Sequence, residues 1–177
     1  MGFQTSVNTL TALGVPGQIA NEEPTVVDTG LLAAAGTCTI GFYYTKNADT
    51  GIYSPGGDLT AAGTVPGGIL LGGFEHSTSG ATTGPLDPTL NVPNNSTQQF
   101  LSVGSVVVNL TGACKLGYKV QYNTTTGALS AVSNATATPS GGNLFVPAST
   151  TVGGASQGAS VIDGVNAAAG LAIIRLS

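Results

Sequence analysis

Thr37-Cys38-Thr39-Ile40-Gly41-Phe42-Tyr43-Tyr44-Thr45 runs into Lys46-Asn47-Ala48-Asp49-Thr50-Gly51 and then Ile52-Tyr53. The first nine residues alternate, placing Cys38, Ile40, Phe42 and Tyr44 on one face, which is the period of a half-buried strand. The next six are turn chemistry, because Asn and Asp bond their own backbone and Gly supplies positive φ. The segment predicts a β-hairpin. Seventy-six residues on, Cys114-Lys115-Leu116-Gly117-Tyr118-Lys119-Val120-Gln121-Tyr122 alternates in the same way, Asn123-Thr124-Thr125-Thr126-Gly127 turns, and Ala128 to Val132 returns. Without a gap the two stretches match at Cys38/Cys114, Gly41/Gly117, Asn47/Asn123, Thr50/Thr126 and Gly51/Gly127. Residues 36–61 and 112–137 therefore read as an internal repeat.

Working outward, Ile69 to Phe74, Phe100 to Leu110, Leu144 to Val146 and Ala169 to Leu176 are further strand candidates. Val103 to Leu110 is the strongest β-branched run and is expected to lie centrally. Pro66, Pro93 and Pro147 each follow a Val, so each is expected to hold an extended residue and then a turn. Residues 75–98 and 149–168 are rich in Gly, Ser, Thr and Asn and read as long loops. No stretch sustains a helical period. The fold class expected is all-β: a small β-barrel or sandwich built from two related hairpins. Residues 1–29, where Gly14, Pro16, Gly17 and Pro24 interrupt Val7, Leu10, Leu13, Val15 and Ile19, read as an extended N-terminal arm that needs another surface to order it. Residues 30–177 read as a single β domain.

Composition narrows the function. Of 177 residues only 7% are charged, against roughly 25% in ordinary soluble domains. The net charge of −4 and four cations (Lys46, Lys115, Lys119 and Arg175) argue against nucleic acid, whose phosphates need clustered Lys and Arg. No apolar run reaches the roughly 20 residues of a membrane helix, and the first residues lack the basic and apolar regions of a signal peptide. Met1-Gly2 with Ser6 fits a myristoylation pattern, yet no basic patch stands by to reinforce a single acyl chain. The exterior must instead be neutral and hydrogen-bonding, which suits life inside an assembly, where a buried unpaired charge is costly.

Reactive groups are scarce. Cys38 and Cys114 share their faces with apolar neighbours and read as buried free thiols, with a disulfide between the two repeats as the alternative. His76 is the one histidine, so a zinc site, which usually takes four ligands, is not expected. Glu75 and Asp87 lie near His76 in sequence, but nothing resembles a nucleophile elbow. Glu22 and Glu23 are neighbours in the arm rather than a facing pair across a cleft. The glycine-rich stretch 67–73 lacks the Lys of a phosphate loop. No catalytic residue, metal or cofactor is expected.

The opening Met1-Gly2-Phe3-Gln4 with Val7-Asn8, then Gly14-Val15-Pro16-Gly17 and Ala20, resembles the start of the structural cement (decoration) proteins of tailed phages. The resemblance continues at Ile40-Gly41-Phe42-Tyr43, at Gly117-Tyr118-Lys119-Val120 with Thr126-Gly127, and at Gly170-Leu171-Ala172-Ile173-Ile174. The chain departs from that family's pattern in having no Arg before Phe42, no Trp, and a longer loop after His76. The resemblance implies a virion protein on the outer surface of the capsid, added as homotrimers and bridging neighbouring major capsid protein subunits. Such a protein is made in the host cytoplasm, and its partners are the major capsid protein and itself, with neither nucleic acid nor membrane. Phe3, Gln4, Val7, Leu10 and Ile19 are the arm residues expected to make those contacts, since apolar groups in an otherwise unfolded segment need a partner. The alternative is a host-surface or glycan-binding module in which Tyr43, Tyr44, Tyr53, Tyr118 and Tyr122 stack on sugars.

Overall fold

The computed structural model describes residues 14–20, 24–35, 38–72, 91–135, 138–139, 141–147, 159–164 and 168–177. Among them are twelve strands and no helix: β1 (Val26–Leu31), β2 (Cys38–Thr39), β3 (Tyr43–Asn47), β4 (Tyr53–Pro55), β5 (Thr64–Leu70), β6 (Asn91–Val92), β7 (Thr97–Leu110), β8 (Lys119–Asn123), β9 (Leu129–Val132), β10 (Asn143–Phe145), β11 (Ala159–Asp163) and β12 (Gly170–Leu176). Ten form one antiparallel sheet in the order β10-β8-β11-β12-β7-β5-β3-β4, with β1 on β7 and β9 on β8. β2 and β6 make a separate pair. The sheet does not close into a barrel, so of the two architectures expected the open, sandwich-like one is present.

The 14-residue β7 is the spine. Its first half, from Thr97 to Val103, carries β1 and β5, and its second, from Gly104 to Leu110, carries β12. The Val106-Val107-Val108 run sits at the centre, as β-branched side chains on a pleated, doubly covered strand should. Two apolar cores follow. The larger gathers Val106, Val108, Val120, Tyr122, Leu129 and Ile174, among others. The smaller packs Leu32, Cys38, Tyr44, Tyr53, Leu70 and Phe100, with the Tyr53 and Phe100 rings stacked at 3.8 Å and 5°.

Both hairpins form, and the hydrogen bonds from backbone amides that close their turns correspond. Asn47 Oδ1 accepts from the amides of Asp49 and Thr50, at 3.0 and 2.9 Å, and Asn123 Oδ1 accepts from those of Thr125 and Thr126, both at 3.0 Å. The amides of Gly51 and Gly127 donate to the carbonyls of Asn47 and Asn123 at 2.9 and 2.8 Å. Thr45 faces Ser54 and Lys46 faces Tyr53, just as Gln121 faces Ser130 and Tyr122 faces Leu129.

The strands leading into the hairpins are shorter than their alternation predicts. Gly41 (φ +80°) and Gly117 (φ +76°) adopt the left-handed conformation and break each predicted strand with a turn. Each break ends the predicted alternation: Leu116 is 58% exposed, while the successive residues Tyr43 and Tyr44 are both buried, one in each of the two cores that cover β3. Other expectations also change. β1 crosses the boundary placed at residues 29 and 30, β11 lies within the stretch read as a loop over 149–168, and β6 lies within 75–98. Pro66 does not end its strand. It pairs with Thr45 inside β5, beside a register shift between Tyr44 and Thr45 that accommodates the missing donor.

Candidate functional site

The root of the N-terminal segment is built onto β7. Gln18 folds back on Val15, its side-chain Oε1 accepting from the Val15 amide at 3.2 Å and its amide donating to the Val15 carbonyl at 3.1 Å. Pro16 and Gly17 form the turn between them. The amides of Gly17 and Ala20 then donate to the carbonyls of Val107 and Ser105, at 2.8 and 2.9 Å, while the Val107 amide donates to the Gln18 carbonyl at 2.9 Å. The Gly72 amide donates to the Gly17 carbonyl at 3.1 Å. The backbone of residues 17–20 is thus held on the domain while the side chains of Val15 and Ile19 stay 61% and 39% exposed.

Ile19 is the one predicted contact residue within the described part, where it bridges to Val106. Phe3, Gln4, Val7 and Leu10 lie outside the described residues. Sequence reasoning missed the neighbours of Ile19. Among the described residues six large apolar side chains are exposed; five (Val15, Ile19, Val26, Val27 and Leu31) belong to residues 15–31 and the sixth is Leu116. Among the described residues, outward-facing apolar surface therefore concentrates in one segment along β7. Full burial of such a side chain against a partner is worth about 1.5–3 kcal/mol. The available signal was Val26-Val27 after Pro24, obscured by Asp28 and Gly30, whose reason is tertiary: a Cβ at Gly30 would fall inside van der Waals distance of the Tyr53 ring.

The remaining candidates sort plainly. Cys38 and Cys114 are both free and buried, in different cores, so the disulfide alternative does not hold. The Cys38 thiol donates to Asn94 Oδ1 at 3.2 Å, and burial pushes its pKa up; the Cys114 thiol donates to the Gly164 carbonyl at 2.9 Å. His76, Glu75, Asp87, Glu22 and Glu23 lie outside the described residues. Among the described residues no three His, Cys, Asp or Glu side chains gather as metal ligands would. Lys46 and Lys119 lie over the rings of Tyr53 and Phe145, at 5.4 and 5.6 Å from the centroids. An open crevice of about 280 Å³ is lined by residues of β1, β5 and β7 with Tyr43, Val146, Pro147 and Leu176, and Asp28 is the one charged side chain among the described residues that line it.

The tyrosines belong to the cores. Tyr43, Tyr44, Tyr53 and Tyr122 are at most 2% exposed, and Tyr118 packs half-buried against the larger core. Tyr122 donates its hydroxyl to the Gly57 carbonyl at 3.0 Å, and its ring meets Tyr43 at 4.4 Å between centroids. Sugar stacking on Tyr43, Tyr44, Tyr53 or Tyr122 would require opening the fold.

Comparisons with known proteins span nearly the whole chain. A chain from a solved structure of the capsid of Myoviridae phage XM1 shares the fold, with a TM-score of 0.57 and 16% identity, covering 99% of this chain and 97% of its own. No curated protein matches the sequence. The family model described as structural cement protein (E217 gp24/Pam3 gp6) matches residues 3–177. The chain belongs to the structural cement protein family of phages, a structural component of the virion capsid.

Proposed function

We propose that this protein lies on the outer surface of the expanded phage head and bridges neighbouring major capsid protein subunits, acting as a homotrimer. The observation that carries the reading is the N-terminal root. Its backbone is fixed to β7 by three hydrogen bonds while Val15 and Ile19 point to solvent. An arm leaving from such a root starts in a defined place, which raises its effective concentration at a neighbouring subunit and reduces the ordering cost of docking. Phe3, Gln4, Val7, Leu10 and Ile19 make the contacts.

The physical logic is linkage. A ligand that binds the expanded lattice and not its precursor stabilises the expanded state by its binding free energy, summed over every site. Low charge supports the same reading, since 7% charged residues leave little to desolvate when the surface is covered. The test mixes purified protein with undecorated expanded heads and reads occupancy by cryo-EM. The expected result is filled outer sites in groups of three copies, with occupancy falling at least ~10-fold at limiting protein for Ile19→Asp and for a chain lacking residues 1–13. Unchanged occupancy for both variants would remove the anchoring role, and empty heads with the native chain would remove the function.

A further inference from the structure

We propose that the exposed turn at Leu116 and Gly117 of one copy docks on the N-terminal root of the next, against Val15, joining copies head to tail in a closed ring of three. A second correspondence between the two halves of the chain carries this contact. Ahead of each hairpin lies a four-residue turn whose third residue is a left-handed glycine, Gly41 at φ +80° and Gly117 at φ +76°. The Phe42 amide donates to the Thr39 carbonyl at 3.4 Å, and the Tyr118 amide to the Lys115 carbonyl at 3.1 Å. The Gly41 amide donates to the Leu70 carbonyl and the Gly117 amide to that of Val161, both at 2.9 Å. The amides of Leu70 and Val161 return bonds to the carbonyls of Phe42 and Tyr118, at 3.0 and 2.9 Å. The same turn is built twice, each time stitched to a neighbouring strand.

What covers the two turns differs. The root lies on the first: a Cβ at Gly41 would meet Pro16 Cβ at 3.1 Å, and one at Gly17 would fall inside van der Waals distance of Ile40 Cγ2. Ile40 is accordingly 5% exposed. Its counterpart Leu116 is 58% exposed, and among the described residues no atom lies within 4 Å of where a Gly117 Cβ would stand. The root itself keeps one apolar side chain turned outward beside Pro16, the 61% exposed Val15. It seats one turn of its own chain through Pro16 and Gly17, and it offers Val15 to the like turn of a second copy.

The two patches stay apart within one chain. Backbone hydrogen bonds hold the root on Val107 and Ser105 and hold the Leu116 turn on Val161, so neither moves to meet the other. Residues 14–20 carry no charge, so Lys115, exposed beside Leu116, meets no like charge on the root. Unlike patches joined head to tail generate a ring when the rotation closes. Closure at three rests on the homotrimer proposed above. Val15 and Leu116 are separate from the arm residues assigned to the shell, which lets each contact be broken without the other.

Paired cysteines test it. A chain carrying both Val15→Cys and Leu116→Cys should give, under mild oxidation on heads and in concentrated solution, disulfide-linked species that end at three copies. Their yield should exceed that of either single variant at least ~10-fold. Cys38 and Cys114 are buried and free, and the single variants report any linkage to them. Without oxidation, Leu116→Asp should raise the concentration at which trimers dissociate in sedimentation at least ~10-fold. Val15→Lys in the same chain should recover most of that loss. Both side chains are exposed, so the fold is not at stake. No linkage above the single variants, in chains that fill heads like the native one, would overturn the proposal. So would linkage to the shell subunit, a ladder that stops at two copies or runs past three, or trimers indifferent to Leu116→Asp. Heads left empty by the native chain while the paired cysteines still link would sink the capsid-binding reading alone.

Discussion

Asn47 and Asn123 close the same turn in the two hairpins, whereas the residues that follow each turn, Tyr53 and Leu129, enter different cores. The turns are local objects: an Asn side chain, a Thr and a Gly within five residues suffice to specify them. What surrounds them is not local. The second turn is also clamped against the first hairpin, with the Tyr43 amide donating to the Gly127 carbonyl at 2.9 Å and the Gly57 amide to the Thr124 carbonyl at 2.7 Å. The first turn is tied only at its start among the described residues, the Ala48 amide donating to the Gly63 carbonyl at 2.8 Å, and the nearest atom to a Cβ at Gly51 would be Lys46 Cε at 4.0 Å. The turn of the second hairpin is thus wedged against the first, so two hairpins alike in their turns sit in unlike surroundings.

The largest break in this arrangement comes from alkali. Burial raises the pKa of Tyr43, Tyr44 and Tyr122 well above the ordinary 10.0; for Tyr43 the neighbouring Tyr122 adds to it, for Tyr44 Cys38, and for Tyr122 Asp58. Tyr53 is pushed up to about 12, by burial first and then by Asp28. In the unfolded chain each loses its proton near pH ~10. The stability these neutral hydroxyls contribute is therefore complete below that pH and is lost as pH rises toward the folded values. Phenolate absorbance from the buried tyrosines should appear only together with collapse of the β-sheet circular dichroism. Reversible ionisation near pH ~10 with the fold intact would show that the hydroxyls are not enclosed as described.

A smaller break separates the two turns from each other. Gly127→Ala places a Cβ within contact-breaking distance of the Tyr43 carbonyl oxygen, at a left-handed φ of +77°. Backbone on both sides cannot yield, so the cost is about 2–4 kcal/mol from strain and overpacking together. Gly51→Ala, at φ +71° with open space around it, costs about 1 kcal/mol from conformation alone. Urea unfolding of the two variants should show the gap, and equal losses would mean the wedge adds nothing.

The same contrast explains what was legible in the sequence. Both hairpins, the central β7 and the C-terminal β12 announce themselves through turn residues and β-branched runs, signals contained in a dozen residues. β1 does not, because its partner lies some seventy residues away and because Asp28 and Gly30 look like strand breakers until Tyr53 is placed against them. β11 is likewise hidden, a five-residue strand inside a Gly/Ser-rich stretch and completed only by β12 and β8. The breaks at Gly41 and Gly117 were readable in principle, since an isolated Gly in an alternating run marks a bulge or turn. Of the candidate contact surface, Ile19 was visible as an apolar residue among breakers. Val15 was visible in the same way, but Val26, Val27 and Leu31 were not, because exposure is a property of the assembled sheet.

The finest comparison asks whether the turns are as alike in energy as in geometry. Asn47→Ala removes an acceptor shared by two backbone amides, and Asn123→Ala removes one that also accepts from the Thr126 hydroxyl at 3.2 Å. The orphaned donors reach water at the exposed first turn, so the loss there is about 0.5–1 kcal/mol. At the second turn the Asn123 side chain also donates to Asn143 Oδ1 at 3.4 Å, and the strand it caps is clamped, so the loss should reach about 1–1.5 kcal/mol. Asp at either position keeps the accepting oxygen and should recover most of the stability, more completely at 47 than at 123, where Asn143 loses its donor. If Asp recovers nothing, the side-chain oxygen is not what closes the turn, and the correspondence between the hairpins is one of backbone shape alone.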